Sequence, residues 1–408
     1  MVKIFAERLS ELVLRKGINL KKDQSLTIVV GPKSYEYASV MARTAYKLGA
    51  KYVNIVVSDP RVNAARSLYQ NKDENLSFVP SFLKAYDYEQ ISEEWARVRI
   101  DSGEDRIEKV ESNLDNLQKI SKAVRQSGKE YSSRTMSNQL SWNVCAVPGP
   151  EWAKEILGEN ATEEDLAAVM AKILKIDGDD YLIKWDEFDA ICKKRMEWLN
   201  NLKIKTLHYK SPITDFKVGF TQKARFCGGS GYLPDGSSFF ANLPTEEIFA
   251  TPDMDTAEGY ITTTRPVTVL DNRTEEVTLY FEKGKVVDVK AKVGLDIMNK
   301  YLDIDEGARR LGEVALVDET SPIAESGIVF GSILIDENAS CHIALGAGYP
   351  ECLKTDNPMK TEEDMLANKC NVSLVHTDFM VGSKDLDIVA ETYDGKTVQI
   401  MKQGLFTL

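Results

Sequence analysis

Residues 26–57, LTIVVGPKSYEYASVMARTAYKLGAKYVNIVV, carry the pattern that decides the fold of the first half of the chain. Leu26–Val30 is a short apolar run of β type. Gly31-Pro32 breaks it, and Ser34 is placed to cap a helix over Tyr35–Leu48. Gly49 closes that helix, and Tyr52–Val57 is a second β-type run. Strand, helix and strand at this spacing form a βαβ unit, which requires a parallel sheet covered by helices. The turn VVGPKS contains neither G-x-G-x-x-G nor G-x-x-x-x-G-K-S/T, so the unit is read as packing and not as a nucleotide cradle.

Working outward, residues 3–16 read as an amphipathic helix that buries Ile4, Phe5, Leu9, Leu12 and Val13 and stops at Gly17. Downstream, Ala96–Ile100 and Trp142–Val147 read as further strands of the same sheet, with a charged helix Glu108–Val124 between them. Thr162–Ile176 and Asp186–Leu202 are helical patterns whose acidic first turns, TEED and DEFD, suit the helix dipole. Near Leu202 the texture changes. Short β-branched runs follow at Asp215–Phe220, Val267–Leu270, Val277–Glu282 and Val286–Val293, with Lys283-Gly284 as a tight hairpin turn. One helix is expected over Leu295–Leu311, and strands resume at Glu313–Val317 and Ile328–Ile335. The expectation is an α/β N-terminal domain with a parallel sheet, residues 1–205. A strand-rich α+β C-terminal domain, residues 206–408, would carry the catalytic chemistry.

The bulk numbers narrow the function. With 51 basic and 63 acidic residues the formal charge is −12, which argues against non-specific binding to nucleic acid or to an anionic membrane. The six cysteines include no C-x-x-C pair, which fits reduced thiols in a cytoplasm. The N-terminal run is interrupted by Glu7, Arg8 and Glu11, so it lacks the apolar core of a signal peptide. No run reaches the ~18–20 apolar residues of a membrane span. A cytoplasmic protein is expected.

Chemistry is concentrated in four segments of the second half. Two of the chain's three histidines fall in Ser340–Pro350 (SCHIALGAGYP) and Asn371–Asp378 (NVSLVHTD). His376 and Asp378 are two apart after the apolar run Val372–Val375, so in a strand an imidazole and a carboxylate project from one face. That pair suits a divalent cation, and it equally suits a lone hydrogen-bonded strand end. In Asn242–Pro252 (NLPTEEIFATP), Glu246 and Glu247 stand side by side between prolines. In Leu311–Asp318 (LGEVALVD), Glu313 opens an apolar strand, and a carboxylate there needs a partner. Cys227–Gly236 (CGGSGYLPDG) leads into no helix N-terminus and reads as a flexible connector. No G-x-S-x-G marks a nucleophile, Cys341 would face away from His342, and His208 lies outside all four segments and reads as structural.

NLPTEEIFATP, GEVALVD, SCHIALGAGYP and LVHTDFMVGS, in that order, resemble the metallo-aminopeptidases typified by aminopeptidase T, aminopeptidase S and PepS, and the likeness runs over essentially the full length. The resemblance implies a homodimeric exopeptidase with two divalent ions held by the C-terminal domain. It puts the metal ligands at Glu247, Glu313, His342, Tyr349, His376 and Asp378; a one-residue slip would exchange Glu247 with Glu246. This donor set suits zinc, cobalt or manganese better than calcium. Such a pair of ions activates a water, polarises the scissile carbonyl and binds a free amine, which would select peptides with an unblocked N-terminus. Glu246 is the expected general base, and Tyr349 either a ligand or a donor to the oxyanion. Two other readings share these residues: another two-metal hydrolase, such as an amidohydrolase or phosphoesterase, and a non-catalytic binding protein stapled by metal.

Overall fold

The computed structural model describes residues 2–106, 110–270, 272–355, 359 and 361–408. Two compact units divide the chain. One comprises Met1–Trp185 with Ser230–Pro244, the other Asp186–Gly229 with Thr245–Leu408.

The first unit is built on a five-stranded parallel sheet. Its order is Asn242–Leu243, Trp142–Ala146, Ala96–Asp101, Ser25–Val30, Tyr52–Val57. Ser25–Val30 lies in the interior of the sheet, and Leu26 and Ile28 are fully buried, which explains their unbroken apolar character. Its neighbour Tyr52–Val57 is the edge, and there Tyr52, Val56 and Val57 are exposed. The helix between them runs Tyr35–Lys47. Ser34 does not cap it; its hydroxyl donates 2.6 Å to Asp105, which also takes the Lys33 amide. The first helix, Val2–Leu12, passes into a wider turn over Val13–Gly17, and Phe5, Leu9, Leu12 and Val13 are buried as expected. Ile4 is 55% exposed and falls outside the stripe. The helix after Ala96–Asp101 spans Leu114–Ser127, capped by Asn113; its expected start at Glu108 lies outside the described residues. Thr162 forms a reciprocal capping box with Asp165 at the head of Glu163–Ile173.

The second unit contains two large antiparallel sheets and a two-stranded one, Val267–Val269 with Asn272–Thr274. The larger has eight strands in the order Lys285–Lys290, Thr278–Glu282, Glu258–Thr262, Thr214–Gly219, Ile204–Ser211, Asp387–Thr392, Thr397–Lys402, Leu405–Phe406. The hairpin at Lys283-Gly284 has both residues at positive φ, 49° and 78°, as a two-residue turn with the strands' own twist requires. The smaller sheet has five strands: His376–Met380, His342–Gly346, Leu311–Leu316, Ile248–Ala250, Cys227–Gly228.

Three expected elements differ. The helix from Leu295 ends at Leu302, because Asp303 and Asp305 follow; Asp305 takes the Ala308 and Leu374 amides and the Ser373 hydroxyl instead of continuing the helix. Ile328–Ile335 forms no strand. Asp336, buried, accepts the amides of Phe330 and Ser332 and folds the segment into a loop leading to the helical turns Ile333–Asp336 and Glu337–Ala339. Cys227–Gly236 is not a loose connector either: Cys227–Gly228 is a strand of the small sheet, and Gly231–Tyr232 pairs with Ser238–Phe239.

Candidate metal centre

The five-stranded antiparallel sheet gathers the candidate ligands on one face. Residues directly opposite in an antiparallel pair share a face, as do residues two apart along a strand. Glu313 lies opposite Ala344, and Ala344 opposite Asp378, so the two carboxylates flank a methyl group across three neighbouring strands. His342, two residues before Ala344, lies opposite Ala315, and His376 opposite Gly346. Phe249 also lies opposite Ala315, and Glu247, two residues earlier, enters from the fourth strand. Ala344, Ala315 and Gly346 are small where the ligands converge. The strand that presents His376 and Asp378 begins at His376 itself, so the apolar run Val372–Val375 precedes it.

Both imidazoles are held the same way. His342 Nδ1 lies 3.2 Å from the Ser340 carbonyl oxygen and His376 Nδ1 2.7 Å from that of Ala347. A carbonyl oxygen only accepts, so each Nδ1 carries a proton and each Nε2 is turned toward the cluster. His342 Nε2 is 3.0 Å from Glu247 Oε2; His376 Nε2 is 3.2 Å from Glu313 Oε2 and 3.4 Å from Asp378 Oδ1. The Tyr349 hydroxyl is 3.4 Å from His376 Nε2. Tyr349 is fixed at its backbone, its amide donating 2.8 Å to the Thr251 hydroxyl and its carbonyl accepting that hydroxyl at 3.0 Å. Phe249 packs against its ring with centroids 5.5 Å apart.

The donor atoms fall into two triads, Glu247–Glu313–His342 and Glu313–His376–Asp378, each within 4.8 Å. Glu313 belongs to both. Of the sequence-expected residues, the structure therefore brings Glu247, Glu313, His342, His376, Asp378 and Tyr349 together. Glu246 is buried next to them, with its amide donating 2.6 Å to the Asn338 side chain. His208 is far from this chemistry in the large sheet, paired with Asp215 at 2.6 Å.

A further carboxylate, Glu337, joins the cluster and was not read from sequence. It sits on the turn Glu337–Ala339, next to the Asn338 that receives Glu246. Burial raises its carboxyl well above the usual range, and the charges of Asp378, Glu247 and Glu313 push the same way. Burial likewise brings Glu313 up to about 7, helped by Glu247 and Asp378 and opposed by His376. On His342 burial works against the charge, yet the hydrogen bond to Glu247 and the nearby carboxylates outweigh it and bring the ring up to about 10. The Tyr349 phenol is raised well above 10 by burial and by the same carboxylates. All four shifts express one excess of negative charge in a dry pocket.

Divalent cations fit that excess. Three carboxylates, Glu247, Glu313 and Asp378, converge with two imidazoles whose Nε2 atoms point inward, and Glu337 adds its charge nearby. Asp378 Oδ1 is buried without a hydrogen-bond partner among the described residues, a costly state for a carboxylate oxygen unless a cation meets it.

The whole chain superposes on wild-type AmpT from Thermus thermophilus with a TM-score of 0.88, at 29% identity and with complete coverage of both chains. Fold and site together define a metallo-aminopeptidase, a hydrolase that acts on peptides and uses divalent metal. The chain belongs to the thermophilic metalloprotease (M29) family, which it matches over residues 4–406. It is 33% identical to "Aminopeptidase 2" of Geobacillus stearothermophilus over 403 residues, 98% of this chain and 96% of the relative. It is 32% identical to "Aminopeptidase PepS" of Streptococcus thermophilus over the same share of this chain and 97% of that protein.

Proposed function

We propose that the cluster holds two divalent ions, zinc, cobalt or manganese, and releases N-terminal amino acids from short peptides with a free N-terminus. The observation that carries the number two is the membership of Glu313 in both triads. A carboxylate has two oxygens, and one that belongs to two donor sets is suited to bridge. Glu247 and His342 would complete one site, His376 and Asp378 the other. When bound, the ions would supply Lewis-acid polarisation of the scissile carbonyl and a water of lowered pKa.

The protein's own groups divide the remaining work. Tyr349, kept as a neutral phenol by the surrounding carboxylates, is a hydroxyl donor suited to the oxyanion of a tetrahedral intermediate. A proton acceptor must take the water's proton and return it to the leaving amine. Glu246 and Glu337 are the two carboxylates adjoining the ligand set. Glu337 is favoured because its carboxyl lies in the field of Asp378, Glu247 and Glu313 and accepts from the Asn338 side-chain amide at 3.5 Å, which orients it.

Hydrolysis of an aminoacyl-anilide and of its N-acetylated counterpart, before and after chelation, tests the reading. Turnover of the unblocked substrate alone, lost on chelation and restored by metal, is expected. Cleavage of the acetylated substrate at a similar rate would refute the exopeptidase assignment. Six free cysteines support a reducing, cytoplasmic setting, and no helix among the described residues is long and apolar enough to cross a membrane. Family resemblance supports a homodimer, which light scattering would read.

A further inference from the structure

Six cysteines are present and two of them stand together beside the metal face. Residues 223–227 run antiparallel to 351–354. The Lys354 amide donates 2.7 Å to the Lys223 carbonyl, the Arg225 amide 2.9 Å to that of Cys352, and Ala224 bridges Leu353. Arg225 Nε adds a 2.6 Å bond to the Glu351 carbonyl. This clamp sets Arg225 opposite Cys352, and Cys227, two residues on, projects from the same side, so the two thiols are neighbours. Cys352 is fully buried, while Cys227 is half-buried and the more open of the two.

Their environments are unequal. The neighbouring Cys352 and Arg225 hold the Cys227 thiol below its usual range against the effect of burial, while Cys352 lies fully inside. One accessible sulfur with thiolate character and one buried partner is the arrangement of an attacking and a resolving thiol.

Both cysteines are wired to the same side chain. Cys352 ends the turn Pro350–Cys352 that follows Tyr349 directly. Cys227 lies opposite Phe249 in the sheet, and Phe249 packs on the Tyr349 ring, whose hydroxyl faces His376.

We propose that Cys227 and Cys352 form a reversible dithiol–disulfide pair whose closure shifts Tyr349 away from its catalytic position. The oxidant is a low-molecular-weight disulfide, RSSR. The Cys227 thiolate attacks one of its sulfurs, forming a mixed disulfide and expelling RS⁻. The Cys352 sulfur, after losing its proton to solvent, attacks Cys227 and expels the second RS⁻. Two protein thiols are thereby oxidised by two electrons, RSSR is reduced to two RSH, and the two thiol protons end on the released thiols. The coupling to activity rests on Tyr349 acting in the site; formation of the bond does not.

The test incubates the metal-loaded enzyme with oxidised glutathione and counts thiols, maps crosslinked peptides by mass spectrometry and measures kcat. Reversal uses a phosphine reductant, which avoids thiol chelation of the metal. Loss of two thiols, a peptide joining Cys227 to Cys352, and a reversible fall in kcat on the order of tenfold or more are expected. Metal content should stay constant, and C227S and C352S should each lose the response. Glutathione remaining on Cys227 without closure, or a bond between other cysteines, would overturn the pairing. A mapped Cys227–Cys352 bond with unchanged kcat would overturn the coupling to Tyr349 while leaving the metal assignment standing. The wild-type thiol count and peptide map decide the pairing even if a variant fails to fold.

Discussion

Replacing Glu313 by Gln separates what the site costs the fold from what it gains from metal. Glu313 is 3% exposed, and its carboxyl is held at about 7 instead of the usual 4.5. Each tenfold change in proton affinity corresponds to about 1.4 kcal/mol, so carrying this charge at pH 7 and above costs the metal-free protein on the order of 3 kcal/mol. The sign follows from the direction. A carboxyl raised in the folded state is equally protonated in folded and unfolded chains well below pH 4.5, and its penalty grows as pH rises from there to about 7. Glutamine keeps the shape without the charge. Chelated E313Q should therefore match chelated wild type near pH 4 and exceed it in stability by on the order of 3 kcal/mol at pH 7.5. In the presence of metal the order reverses, because wild type gains the ligand stabilisation and E313Q loses the residue common to both triads. Urea melts of both proteins with and without chelator, together with elemental analysis of bound metal, read the result. E313Q less stable than wild type when both are metal-free at pH 7.5, or E313Q retaining two ions per chain, would refute the reasoning.

Further expectations concern single side chains. Ala344→Leu would fill the gap between Glu313 and Asp378; metal content should fall sharply, at an overpacking cost of about 1–3 kcal/mol in the melt. Tyr349→Phe should retain metal and lower kcat by roughly 10²–10³ with little change in KM, as removal of one oxyanion donor does. Glu337→Gln should keep its metal and lower kcat by roughly 10²–10⁴, and Glu246→Gln should have a much smaller effect; the reverse ranking would return the proton-transfer role to Glu246.

The fold was legible where one rule governed a segment. Leu26–Val57 combined strand propensity, turn residues and helical period without conflict, and the parallel sheet followed. It was illegible where one side chain just outside a run's pattern decided the backbone. Asp336 turns an Ile-rich, strand-like run into a loop, and nothing in that run announces it. Glu313 and the His376–Asp378 pair stood out as polar positions beside apolar runs, while the full candidate set was legible only through the resemblance of four motifs to a known family. Glu337 could not be chosen, since it follows that misread segment and looks like an ordinary acidic turn. The backbone carbonyls of Ser340 and Ala347, which orient the imidazoles, are invisible to any reading of side-chain types.

Glu313 and Asp378 sit two strand spacings apart with Ala344 midway. Neighbouring strands keep a pitch of about 4.8 Å, fixed by their own amide–carbonyl ladder. The backbone separation of the two residues is thus a multiple of a lattice constant of the peptide ladder; their side chains close it to bring donor oxygens within 4.8 Å, and drift in the connecting loops leaves the spacing unaltered. The segment from Cys352 to Val375 can lengthen or shorten and still leave these two residues at the same gauge.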